Sequence, residues 1–150
     1  MKSRLTAKTL TILAVTAIAL AAAPLTALAK PCSVATLKGA YADKDTGFIS
    51  GVGAFAAVAL ESFDGNGAMT GTGTLSLNGT IISGSFQGTY IVKPDCTGTY
   101  TVQSSLGSTF HAYFVIDDNG NELQIVITDT GTVINCVARK QFPVDDDSGQ

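Results

Sequence analysis

Glu61 stands in the apolar run from Gly53 to Phe63, with Phe55, Ala57, Ala59 and Phe63 at the alternate positions that share its strand face. A carboxyl group facing a β-protein interior needs a cation or hydrogen-bond donors to offset its desolvation. Arg139, near the end of the chain, is the expected cation, and the pair would form either a structural plug or the polar end of a pocket. The opposite parity, with Ala54, Ala56, Val58 and Leu60 inward, would turn Glu61 to solvent.

The single histidine, His111, has Tyr113 on its own strand face and Asp117 further along. General acid–base chemistry requires a partner within hydrogen-bond reach, and no motif in the sequence sets a serine, cysteine or carboxylate against His111. A surface histidine is the favoured reading, and no catalytic residue is assigned. "DGNG" at Asp64 to Gly67 and "DDNGN" at Asp117 to Asn121 have the flavour of calcium loops. A calcium loop of the helix-flanked kind needs further oxygen ligands and an acid at its twelfth position, yet no acid follows Asp64 before Asp95. Hairpin turn chemistry accounts for both stretches. Asn78-Gly79-Thr80 fits a glycosylation sequon and, equally, a two-residue turn.

Three cysteines remain. Cys96 lies at the tip of Lys93-Pro94-Asp95-Cys96, between two Gly-Thr-Tyr-x-Val phrases at Gly88 and Gly98, and Cys32 precedes the first strand. Closure of a barrel would bring Cys32 near either that tip or the last strand, so Cys32–Cys96 and Cys32–Cys136 both stay open. One histidine and partly paired cysteines do not make a zinc site; no metal and no cofactor is expected.

The elements that must position these groups are strands. The chain opens with Lys2, Arg4 and Lys8, an apolar stretch from Leu10 to Ala23 broken by Pro24, and Ala27-Leu28-Ala29. That pattern predicts a signal peptide over residues 1–29 and a secreted or periplasmic protein, with no membrane insertion once the leader is removed. The remaining 121 residues hold six basic and twelve acidic groups, a formal charge of −6, with no Lys/Arg cluster; nucleic acid is not an expected partner. Glycine, threonine, serine, valine and isoleucine dominate there, which favours pleated strands and tight turns over helices.

Alternation and turn signals predict eight strands: Leu37 to Asp43, Gly53 to Phe63, Ala68 to Leu77, Thr80 to Val92, Gly98 to Ser105, Thr109 to Ile116, Glu122 to Thr128 and Thr132 to Lys140. The link from Asp43 to Gly51 is the least determined. The other connections leave no room for crossover helices, so the sheet is expected to be antiparallel in sequence order. Closure into an up-and-down barrel removes both edges, with a two-sheet β-sandwich as the alternative. Inward positions are Ile82, Phe86, Tyr90 and Val92; Phe110, Ala112, Phe114 and Ile116; and Leu123, Ile125 and Ile127. Gly84 and Gly88 share that face, where a missing side chain either eases strand coiling or leaves space. The barrel domain is expected over residues 30–142, and residues 143–150, with Asp145-Asp146-Asp147, form a disordered acidic tail.

"CSVATLKGAY", "ESFDGNGAMTGTGTLSLNGT", "GSFQGTYIVKPDCTGTYTV" and "DTGTVINCVARKQ" together span most of the chain after residue 29. Their succession resembles a group of small exported bacterial β-proteins of unknown function. The resemblance implies a calycin-like, or lipocalin-like, barrel and brings no catalytic residues. That group commonly has a small residue in place of Cys136, so the resemblance implies that Cys136 is the odd cysteine and that Cys32 pairs with Cys96.

The leading functional expectation is a non-enzymatic binding barrel for a small apolar or amphipathic ligand, held by Phe55, Glu61, Phe86, Tyr90, Phe110, Phe114 and Arg139. A solid structural or cell-surface interaction barrel is the alternative. A barrel cyclase or isomerase that uses Glu61 and nearby tyrosines is the third reading and requires Glu61 inside a cavity.

Overall fold

The computed structural model describes residues 30–142; the expected signal peptide (1–29) and acidic tail (143–150) lie outside the described residues. The strands are β1 (Lys38–Ile49), β2 (Gly53–Asp64), β3 (Ala68–Leu77), β4 (Thr80–Val92), β5 (Thr97–Ser104), β6 (Thr109–Asp117), β7 (Glu122–Ile127) and β8 (Thr132–Lys140). They form one closed antiparallel barrel in sequence order, sealed by β1 pairing with β8 from Tyr41↔Lys140 to Ile49↔Thr132. Apart from the strands, the described residues hold two single-turn 3₁₀ segments, Val34–Thr36 and Asp118–Gly120.

Local chemistry explains the turns. Asn78 and Gly79 both have positive φ, 47° and 88°, which lets a two-residue connection follow the twist of β3 and β4. Asp64 Oδ1 accepts from the backbone N–H groups of Asn66 and Ala68, so the carboxylate of "DGNG" closes its own turn. Asp95 Oδ1 does the same for Thr97, accepting from both its backbone N–H and its hydroxyl.

The first strand is longer than the sequence predicts. Lys44 to Ile49, expected to be part of a link, continue β1 and pair with both β2 and β8. Polar Asp43-Lys44-Asp45-Thr46-Gly47 has the composition of a loop, but neighbours on both sides satisfy its backbone, and cross-strand pairing overrides local preference.

The two ends of the barrel differ. At the end where β1 begins, the segment before it folds across the opening, and the Cys32–Cys96 disulfide fastens it to the β4–β5 turn. Leu37, Tyr41, Phe63, Met69 and Tyr90 fill this end and are at most 2% exposed. Tyr41 and Tyr90 each meet Phe63 edge to face, at centroid separations of 5.2 and 5.1 Å. The Tyr90 hydroxyl accepts from Gly65 N–H and faces the carbonyls of Val34 and Leu37, at 3.0 Å from each; Tyr41 donates to the Gly120 carbonyl. At the opposite end the inward residues Ile49, Phe55, Phe110 and Ile127 are only partly buried.

Candidate ligand cavity and its carboxyl floor

Strand alternation turns Tyr41, Asp43 and Asp45 of β1 and Phe55, Ala57, Ala59, Glu61 and Phe63 of β2 toward the barrel axis. Val58 and Leu60 point outward, 61% and 46% exposed, which settles the parity left open for this strand. The interior is not filled beyond mid-height. A cavity of about 130 Å³ runs from the carboxyl groups of Asp43, Asp45 and Glu61 toward the less buried end, where Leu106 of the β5–β6 turn contributes to its rim. Phe55, Ala57, Ala59, Leu75, Phe86, Val102, Phe110, Ile127 and Ile134 make its walls mainly apolar, and Tyr100 and Ser104 add hydroxyl groups.

Gly73 of β3 and Gly84 of β4 are register partners, and both line the cavity. A methyl group at Gly84 would meet only side-chain atoms of Ser105 and Leu106, so this position leaves space at the wall. Gly73 and Gly88 serve another purpose: a methyl group would collide with the Val58 carbonyl and Ala59 at the first and with the Thr101 carbonyl and Val102 at the second, so neighbouring strands approach closely at both points. The Phe86 ring covers Gly71, and the Phe114 ring covers Gly98 in the same way.

The acidic floor is unusual. Asp43 and Glu61 are 6% and 3% exposed, and Asp43 Oδ1 and Glu61 Oε2 have no hydrogen-bond partner among the described residues. Burial, reinforced by the neighbouring Glu61 and Asp45, pushes the Asp43 carboxyl up to about 9. Burial and the Asp45 charge push Glu61 up to about 8. Asp45 is also raised by burial, partly offset by contacts with the Cys136 thiol and Asp43. One ligand atom each from Asp43, Asp45 and Cys136 lie within 4.8 Å of one another. Tyr100 and Cys136 are likewise pushed well above their ordinary values, chiefly by burial. At neutral pH Asp43 and Glu61 therefore favour their protonated forms.

The candidate ligand residues separate into three sets. Phe55, Glu61, Phe86 and Phe110 lie together on the cavity wall. Tyr90 and Phe114 are in the packed core instead: Tyr90 ties the closed end together, and Phe114 stacks on Tyr100 at 6.2 Å. Arg139 does not reach Glu61. Its side chain is 74% exposed and its Nε bonds Glu122 Oε2 at 2.6 Å on the outside of the barrel. The physical reason is parity: Ile134, Cys136 and Ala138 point inward, so residue 139 points out.

Asp43, Asp45 and Tyr100 are site residues that the sequence reading did not single out, and Cys136 was considered only for a disulfide. The signal for the two aspartates was the alternation of Tyr41, Asp43, Asp45, Gly47 and Ile49, masked by their own polarity and that of Lys44 and Thr46. His111 does have a carboxylate partner, Asp129 of the β7–β8 turn, with Nδ1 and Oδ1 2.7 Å apart. The pair sits on the outer surface, and Asp129 also accepts from His111 N–H, which anchors the turn to β6. A wider groove of about 700 Å³ on the outer face includes Ser62, Thr70, Thr72, Gln87, Gln103 and Ser105 and carries no ionisable side chain. Among the described residues no helix is long and apolar enough to cross a membrane. No protein-family model matches the chain, and no curated protein or solved structure matches it.

Proposed function

We propose that the chain is an exported binding barrel that holds a small amphipathic molecule, its apolar part against the aromatic walls and its polar part on the carboxyl floor. The observation that carries this reading is the 130 Å³ cavity with apolar walls and three carboxyl groups at its base. Buried ionisable groups without partners cost a fold several kcal/mol, and a solid structural barrel gains nothing from them. A ligand that uses them gives that cost a purpose. The leader-like N-terminal sequence and the Cys32–Cys96 bridge support an oxidising, extracytoplasmic setting.

Cavity size narrows the ligand. A void of about 150 Å³ accommodates benzene, whereas pockets for drug-sized molecules begin near 300 Å³. The bound part is therefore on the order of six to ten non-hydrogen atoms. A barrel isomerase is the second reading, favoured by the position of Glu61 in the cavity wall as a proton donor within apolar surroundings. The same volume restricts it to a small substrate and leaves out a folded lipid chain.

Benzene titration followed by NMR tests the binding reading, alongside native mass spectrometry of protein purified from its own source. Saturable shifts at Phe55, Phe86 and Phe110, or a small co-purifying mass, are the expected results. Bare polypeptide together with unsaturable or absent benzene shifts would overturn it.

A further inference from the structure

Among the described residues the floor of the cavity carries acids and no basic group to balance them. Asp43 has Ala59 and Ala138 as its register partners and Asp45 has Ala57 and Cys136, so small side chains flank both carboxyl groups and leave the space above them clear. Glu61 joins them from β2, with one oxygen unpartnered although the residue is 97% buried, and the equally orphaned Asp43 Oδ1 lies on the same floor. The titratable groups that face this floor are Tyr41, Asp43 and Asp45 from β1, Glu61 from β2, Tyr100 from β5 and Cys136 from β8. None of them is basic. Among the described residues no lysine, arginine or histidine lines the cavity, and Lys44, between the two aspartates, faces outward.

We infer, on the basis of the binding function proposed above, that the ligand is a small primary amine, bound as its ammonium ion with the nitrogen at the Asp43 and Asp45 carboxyl groups, on the floor that Glu61 also lines, and the apolar part directed to the rim. An ammonium group offers several N–H donors and a compact positive charge, which matches the close Asp43 and Asp45 carboxyl groups of β1 with the Glu61 carboxyl of β2 lining the same cavity. A neutral hydroxyl or carbonyl group engages one or two of them and leaves the remainder unpartnered. A divalent metal on Asp43, Asp45 and Cys136 would use the acids but neither Glu61 nor the apolar chamber above them. Binding of the cation ionises acids that are protonated in the empty barrel, so association releases protons to solvent.

Calorimetric titration of the purified protein with benzylamine and with benzyl alcohol, which differ in charge but little in shape, tests the inference. At pH 7 the amine is expected to bind at least ten-fold more tightly, with a heat that depends on the ionisation enthalpy of the buffer. Glu61→Gln and Asp43→Asn are each expected to weaken the amine ten-fold or more and to weaken benzyl alcohol by a smaller factor, so that the preference for the amine shrinks. If either variant fails to fold, Asp45→Asn supplies the same comparison. Equal affinity for alcohol and amine would overturn the amine assignment while the binding function stands. So would tight Zn²⁺ binding abolished by Cys136→Ala in a protein that ignores benzylamine. Failure of benzene, alcohol and amine alike would remove the binding function itself.

Discussion

Asp45 of β1 stands directly across from Cys136 of β8, on the seam that closes the barrel, and the two side chains are in contact. The thiol is 3% exposed, and burial together with the adjacent carboxylate raises its pKa far above the ordinary thiol range. In native buffer at pH 8, Cys136 is therefore expected to resist iodoacetamide for hours and to react fully once the chain is unfolded. Mass spectrometry of quenched time points measures this. Rapid labelling of the folded protein would mean that the seam opens freely or that the thiol is activated.

The acids also make stability depend on pH in an unusual direction. Asp43 and Glu61 bind protons up to about 9 and 8 in the native barrel, whereas an unfolded chain releases them near pH 4. Between those limits the native state holds more protons, so stability falls as pH rises, by up to about 1.4 kcal/mol per pH unit for each proton retained. The surface carboxylates Asp64 and Asp95 are shifted downward by hydrogen bonds to their own turns, and their contribution is lost only below that window. Thermal denaturation should show Tm decreasing from pH 5 to pH 9, and Glu61→Gln should flatten the slope and exceed the parent at pH 9. A Tm that rises across this range would show that the floor is ionised in the folded protein.

Alternation and turn chemistry made most of the barrel legible before any coordinates. Asn78-Gly79, Asp64 to Gly67 and Lys93 to Cys96 are turns whose residues satisfy specific backbone demands, and the apolar positions between them repeat every second residue. The candidate site was less legible. Asp43 and Asp45 break the rule that acids face water, so a pattern reader takes them for loop residues, although their neighbours Tyr41 and Ile49 keep the inward parity. Arg139 was drawn to Glu61 by charge, but the parity of Ile134, Cys136 and Ala138 holds it outside. Charge complementarity chooses between positions a fold makes available; it does not move a side chain through a sheet.

Tyr90 offers a separate check, because its hydroxyl acts at the closed end and not on the cavity wall. Tyr90→Phe removes the acceptor for Gly65 N–H and the donor for Val34 or Leu37, all among buried or part-buried groups. A loss of about 2 kcal/mol in unfolding free energy is expected, read from denaturant titration, with benzene uptake unchanged. Loss of uptake without loss of stability would place Tyr90 in the site after all.

The glycines of β4 separate space from strain. At Gly84 an added methyl meets Ser105 Oγ at 3.1 Å and Leu106 at 3.7 Å, side-chain atoms that can turn aside. At Gly88 it meets backbone. Gly84→Ala should cost less than about 1 kcal/mol and reduce benzene uptake, whereas Gly88→Ala should cost about 1–3 kcal/mol or more. Equal costs would mean that Gly84, too, is required by strand coiling.

The stapled end of the barrel has one more consequence, for motion. The disulfide, the Tyr90 and Tyr41 hydrogen bonds and the fully buried side chains are gathered at one end of every strand, while the inward residues at the other end are partly exposed. Each strand thus has an anchored half and a compliant half, and amide exchange should grade along the barrel axis within single strands. The barrel is expected to breathe at its rim over a fixed base, so the proposed guest would come and go by one door, at a rate set by the turns around positions 50, 79, 106 and 130.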